Sequence, residues 1–246
     1  MTQSIEELLK ENEELKHQSA IKSDLISISA HQLRTSLSAM KWILKMFIDG
    51  DFGELTNEQK NYAGKALDSD NRMITFVNEM LSINHAEDTL AEIKVTTFDI
   101  TKLIDEIIFD FSGESYKKGV QLVFLKPEQT QLNISADQEK IRVVIQNLIE
   151  NAIKYSKKES RILVSVSKKE NMLEVSVHDN GIGIPKDEQA NIFGKFFRAE
   201  NAKKEDSVGS GLGLYTTKRI VEKHQGKIWF DSESSKGTTF YFQIPG

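Results

Sequence analysis

Cysteine is absent from this chain and proline occurs only three times in 246 residues. Without thiols there is neither a disulfide frame nor a thiolate metal site, which suits a reducing compartment and makes the cytoplasm the expected location. An excess of positive charge is also missing: 32 Lys and Arg stand against 37 Asp and Glu, for a net charge of -5, and the basic residues are scattered. That offers no footprint for nucleic acid. No apolar run approaches the roughly 20 residues of a membrane span, and the N-terminus lacks a signal-peptide core. No membrane contact is expected within the chain; if the protein senses across a membrane, the sensing part lies elsewhere. What remains, 39% hydrophobic and 28% charged residues, is ordinary for folded soluble protein. The length predicts one large or two modest domains.

From Ile5 to His85 there is no proline and the apolar spacing is helical. Ile5, Leu8, Asn12 and Leu15 follow a 3-4-3 spacing among Glu and Lys, the pattern of a short coiled coil whose core Asn12 sets the register. Ile26, Ala30, Leu33, Leu37, Met40, Leu44 and Phe47 form a 4-3 series in a different phase, so a stutter is expected between the two. Such a stutter gives rotation or register shift, carried by the coil, somewhere to act. After "DGDFGEL", Thr56 and Gln59 read as a capping box opening a second helix with a stripe of Tyr62, Ala66, Met73, Phe76, Val77 and Met80. One such hairpin has too little surface to bury both stripes. A homodimer sharing a four-helix bundle is predicted, against the alternative of a hairpin packed on its own second domain. His31 follows the core position Ala30 and falls outside the stripe, where an imidazole is displayed to solvent and, neutral near pH 7, is a competent nucleophile.

Beyond Phe98 the texture changes. Strands are predicted at "VQLVFL", "QLNISA", "RILVSVS", "MLEVSVHD", "GKIWFDS" and "TTFYFQI", and helices near 100–111, 137–155, 186–193 and 212–224, an α+β arrangement with helices on one face of the sheet. "HAEDTLAEIKV" is the junction. The organisation expected is a coiled linker over 1–22, a helical domain over 23–88 and an α+β domain over 89–246.

Several stretches in the second part point to a ligand site. In "DQEKIRVVIQNLIENAIKYS", Asn147, Asn151 and Lys154 sit at i, i+4 and i+7 beside the apolar face. This is either a pocket lining, with amide oxygens for a hard cation such as Mg2+ and a lysine for phosphate, or a solvated shoulder. "HDNGIGIP" places Asp179 after a strand and before Gly181 and Gly183, either a carboxylate accepting from an exocyclic amine beside a close-approaching backbone or simply an Asn-Gly hairpin. "GSGLGL", Gly209 to Leu214, opens a helix whose N–H groups can face phosphate. A dinucleotide fold is disfavoured because the polar run "RAENAKKEDSV", and not a strand, precedes it. That run reads as a mobile lid, with Arg198, Lys203 and Lys204 as candidate phosphate contacts.

Taken in order, these motifs resemble the catalytic core of bacterial sensor histidine kinases. "SAHQLRTSL" resembles the H box, "NLIENAIKY" the N box, "DNGIGIP" and "GSGLGL" the glycine boxes, "IFGKFFR" the F box and "GTTF" a final glycine motif, over residues 20–246. The resemblance implies a dimerisation and histidine-phosphotransfer domain followed by a Bergerat-fold, GHKL-type ATP-binding sandwich. It implies His31 as phosphoacceptor, Asn151 as Mg2+ ligand, Asn147, Lys154 and Tyr155 as nucleotide contacts, Asp179 as the adenine-reading carboxylate and Arg198 near the γ-phosphate. Gly181, Gly183, Gly209, Gly211 and Gly213, with Leu214, would shape the adenine pocket and lid. The implied reaction is autophosphorylation of His31 from ATP and transfer to an aspartate of a response regulator receiver domain, with Thr35 at the position that orients water for dephosphorylating that regulator.

Two positions depart from the family pattern. Gln32 stands where Glu or Asp usually follows the histidine, so the side chain can orient the imidazole but cannot take its proton. Ser36 stands at the usual proline, which restores a backbone donor and removes the enforced kink. These keep a phosphatase-biased or pseudokinase scaffold open as an alternative. A hydrolysing ATPase of the same fold is the other rival; such relatives carry Glu where this chain has Asn147, which speaks against it.

Overall fold

The computed structural model describes residues 28–30, 32–89, 93–128, 131–205 and 209–246. The expected coil and stutter, His31 itself and residues 206–208 of the lid run lie outside the described residues. The chain divides into two compact units, Met1–Asp88 and Thr89–Gly246. Among the described residues no helix is long and apolar enough to cross a membrane.

The first unit is a helical hairpin. Helix α1 covers 32–49, and α2 runs Asn57–Thr89. Between them Gly50 and Gly53 take the left-handed φ values of +89° and +108° that the reversal needs. The capping box forms as the spacing predicts: Thr56 N donates to Gln59 Oε1 at 2.9 Å and Gln59 N donates to Thr56 Oγ1 at 3.2 Å. At Ser36 the helix continues, and the Ser36 hydroxyl donates to the Gln32 carbonyl at 3.1 Å. Among the described residues the buried core is made of Ala30, Leu37 and Val77, with Ile74 packed against them. Leu33, Met40, Phe47, Tyr62, Met73 and Phe76, all predicted stripe positions, are exposed in the single chain. Asp70, in contrast, is 1% exposed, and neither of its carboxylate oxygens has a hydrogen-bond partner among the described residues.

The second unit is an α+β sandwich. In order it contains β1 Thr96–Asp99, α3 Ile100–Asp110, α4 Ser112–Lys118, β2 Gln121–Leu125, β3 Asn133–Ala136, α5 Gln138–Tyr155, β4 Arg161–Lys169, β5 Met172–Asp179, α6 Glu200–Glu205, α7 Gly213–Lys223, β6 Lys227–Glu233 and β7 Gly237–Pro245. The main sheet has the order β2-β4-β5-β7-β6, antiparallel except for the parallel β2–β4 pair, while β1 and β3 make a separate antiparallel ribbon. Strand β5 alternates half-buried and buried residues, and its buried side, Leu173, Val175 and Val177, belongs to the same core as Ile141, Ile145, Leu148 and Ile149 of α5. Asp99 caps α3, accepting from Thr101 N at 3.0 Å; Asp137 caps α5, accepting from Lys140 N at 3.1 Å.

One expectation fails. The stretch 186–193 is not a helix: only Gln189–Asn191 makes a single 3-10 turn. Its Glu188 serves another element, both carboxylate oxygens accepting from Glu200 N at the start of α6. Within the expected lid run, Glu200–Glu205 forms α6, where Lys203 pairs with Glu200 of the same helix. The acidic N-terminus and basic C-terminus of that short segment suit a helix dipole, a local signal that the polar composition obscured.

Candidate functional site

Strand β5 ends at Asp179, which pairs directly with Thr238 of β7, so the two side chains share the inner face of the sheet. Asp179 is 5% exposed. Its Oδ1 accepts from Gly181 N at 2.8 Å and from Thr238 N at 3.3 Å, leaving Oδ2 as the acceptor for a ligand. Burial pushes this carboxyl up to about 6, against the two backbone bonds and the neighbouring His178. A single well-placed acceptor at the end of a strand is suited to an amine.

The glycines around it are required by contact. A Cβ on Gly181 would meet the Tyr155 carbonyl, and one on Gly183, at φ +62°, would collide with the Glu233 carbonyl. Tyr155 therefore contributes to this wall through its backbone: its carbonyl accepts from Ile182 N at 3.2 Å. Asn201 of α6 donates through Nδ2 to the Gly183 carbonyl at 2.8 Å, while its Oδ1 is buried without a partner.

Helix α5 carries the polar row. Asn147 donates through Nδ2 to Gly213 O and Thr217 Oγ1, each at 3.3 Å, and so ties α5 to the first turn of α7. One turn on, half-buried Asn151 makes no side-chain hydrogen bond to the described residues, which leaves its carboxamide oxygen available to a cation. Lys154 lies with its Nζ 5.7 Å from the Tyr155 ring centroid. A Cβ on Gly209 would come within 3.2 Å of Lys154 Nζ and 3.3 Å of Arg198 Cζ, so the two cations meet at this glycine. Arg198 donates to the carbonyls of Gly209 and Ala202, each at 3.1 Å. Gly211, at φ +71°, is pressed against the Phe196 and Phe197 backbone; Gly213 and half-buried Leu214 open α7, which has no side-chain cap, so first-turn N–H groups keep capacity for an anion.

The site thus runs from a buried acceptor, past amides, to cations and a helix N-terminus. That polarity suits a molecule with an amine at one end and phosphates at the other. The structure gathers Asn147, Asn151, Lys154, Tyr155, Asp179 and the five glycines into one unit. Gln32 and Thr35 belong to the other unit and are exposed on α1. Sequence reasoning overlooked Thr238 and Asn201. Thr238 lay within the noted "GTTF", but its pairing with Asp179 depends on strand order, which no local pattern contains.

Two family models match the chain. The His Kinase A (phospho-acceptor) domain matches residues 21–89, and the histidine kinase-, DNA gyrase B-, and HSP90-like ATPase domain matches residues 136–246. The sensor histidine kinase WalK of Bacillus subtilis is 32% identical over 230 residues, covering 90% of this chain and 36% of WalK. The chain spans about a third of the length of the curated relatives it matches. Among solved structures, full-length ShkA in complex with AMPPNP is similar with a TM-score of 0.66 and 25% identity, over 90% of this chain and 45% of that one. The nucleotide-free catalytic domain of histidine kinase ThkA matches with a TM-score of 0.55 and 29% identity, over 62% of this chain and 95% of that one.

Proposed function

Since the chain belongs to the sensor histidine kinases and carries their catalytic core, we propose that it phosphorylates its own His31 from ATP and passes the phosphoryl group to an aspartate on a response regulator. The observation that carries the nucleotide half of this reading is the buried, singly available acceptor of Asp179 at one end of a site whose other end gathers Lys154, Arg198 and an uncapped helix N-terminus. The adenine amine would bind Asp179 Oδ2, and the phosphates would face Lys154, Arg198 and the first-turn N–H groups of α7. The free carboxamide of Asn151 fits a hard oxygen-seeking cation, so Asn151 would hold Mg2+ together with the phosphates; the ion, when bound, neutralises phosphate charge.

His31 would attack as neutral imidazole, and Gln32 would hold the ring by hydrogen bonding without taking up its proton. Thr35, exposed on α1 and four residues after His31 in the sequence, would orient water for dephosphorylating the regulator. Exposed stripe residues on both hairpin helices favour a homodimer in which two hairpins share one core, and the bundle face around His31 would receive the regulator's receiver domain. The uncharged Gln32 favours one second reading, a phosphatase-biased core that binds ATP and transfers phosphate slowly.

Incubation with γ-labelled ATP and Mg2+ tests the proposal. The expected label is acid-labile, alkali-stable and absent from His31→Ala. Nucleotide binding without label, rescued by Gln32→Glu, would point to the missing base. Nucleotide binding without label and without rescue would overturn the kinase reading.

A further inference from the structure

Asp179, Thr238 and Ser232 stand side by side in one row across β5, β7 and β6, each directly opposite the next in the strand register. The Ser232 hydroxyl has three neighbours. It accepts from Ile184 N at 2.9 Å, donates to the Gly237 carbonyl at 3.1 Å and lies 2.8 Å from Thr238 Oγ1, a contact in which either oxygen could donate.

Counting protons decides the last contact. A serine hydroxyl has one proton to give and two lone pairs with which to accept. With its proton on Gly237 O and one lone pair on Ile184 N–H, Ser232 keeps every contact only if the Thr238 hydroxyl donates to it. The reverse assignment would strand the Gly237 carbonyl contact. Thr238 then has no proton left, and beside Asp179 it presents only lone pairs.

We propose that Ser232 is a specificity-determining positioning residue: by consuming the Thr238 proton it makes the Asp179–Thr238 pair a two-acceptor reader that selects a 6-amino purine over a 6-oxo purine. This deepens the nucleotide reading given above and rests on it. An amine brings two N–H donors to two acceptors. A 6-oxo group brings lone pairs against lone pairs, and a site built for one hydrogen-bonding pattern discriminates strongly against its inverse because buried polar groups are left unpaired. Ser232 itself need not touch the ligand.

The test compares ADP with IDP, which carries oxygen in place of the 6-amino group, by titration calorimetry on the full chain at about pH 8. Wild type is expected to prefer ADP. In Ser232→Ala the Thr238 proton is released and can turn toward a 6-oxo group, so the IDP-over-ADP ratio of dissociation constants is expected to fall about tenfold, mostly through tighter IDP binding. Ser232→Thr, which keeps the hydroxyl, restores the preference. In a Thr238→Val background Ser232→Ala changes the ratio no further. Should Ser232→Ala lose its fold by circular dichroism, Ser232→Cys, of similar volume but a poor hydrogen-bonding partner, is expected to give the same change. Equal weakening of both nucleotides with an unchanged ratio would make Ser232 merely structural and overturn the inference. A wild type that binds neither nucleotide would instead defeat the nucleotide reading itself.

Discussion

The two units bury their apolar residues to very different degrees. The α+β unit encloses Phe242, Ile104, Ile145, Leu148 and Ile162 with essentially no exposure, whereas the hairpin leaves Trp42 64% and Tyr62 62% exposed around a core of small or few side chains. The first has sheet and helices to cover each other. The second leaves an apolar stripe exposed among the described residues, and it is the unit that carries His31. If a second copy covers the exposed stripe, as proposed above, stability of the hairpin should depend on protein concentration while that of the α+β unit should not.

The strongest test of that contrast puts charge on the open stripe. Met40→Glu is expected to abolish dimerisation by sedimentation and lower autophosphorylation by more than about a hundredfold, as expected when a folded oligomer is required, while leaving ADP affinity unchanged. Loss of ADP affinity in the same variant would show that the two units are not independent.

Next in size is Asp179→Asn. Losing a buried charged acceptor should weaken ADP by about a hundredfold, close to the 1.5–3 kcal/mol of a hydrogen bond to a charged group. Its effect on stability has the opposite sign. Because burial raises this carboxyl from 3.8 to about 6, its favourable contribution to folding is fully present only below the lower value and is lost as pH rises through about 6. Asp179→Asn should therefore raise the melting temperature of the α+β unit at about pH 8 and change it little at about pH 4. In wild type, ADP affinity should fall as pH drops below about 6, since a protonated carboxyl is a poorer acceptor for the amine.

Gly183→Ala is third. A methyl group at φ +62° against the Glu233 backbone should cost about 3 kcal/mol of the second unit's stability and nothing of the hairpin's, read by chemical denaturation with probes in each. Smallest is Thr56→Ala, which removes the capping box and should cost about 1 kcal/mol, confined to the hairpin. An equal response of both units to either substitution would dissolve the contrast.

The sequence was most informative where physics is local. The Thr56 and Gln59 pair, the apolar face of α5 and the alternation of β5 and β7 are each set by neighbours three, four or two positions away, and each appears in the structure. It was least informative where partners lie far apart. The ribbon of β1 with β3 and the parallel β2–β4 pair depend on long-range pairing, and the short strand Thr96–Asp99 has no alternation strong enough to mark it. Residues 186–193 mislead for a related reason. Glu188 and Gln189 read as helix formers, but their side chains are spent on α6, Ile184 and Ser232. At the site, the glycines and Asp179 were visible as motifs, while Ser232 and Thr238 became meaningful only once β6 and β7 were placed beside β5.

That placement has a consequence in time. β7 lies between β5 and β6, although β6 precedes it in the chain, so β6 has no neighbour until β7 arrives. The contacts that β7 makes with β5 close a loop of 59 residues between Asp179 and Thr238, an interval long enough to make this one of the slower events in assembly. Asp179 loses one of its two backbone donors, and the row to Ser232 does not exist, until that strand is home. Nucleotide binding is in this sense a readiness signal: a chain still folding should acquire its ligand last.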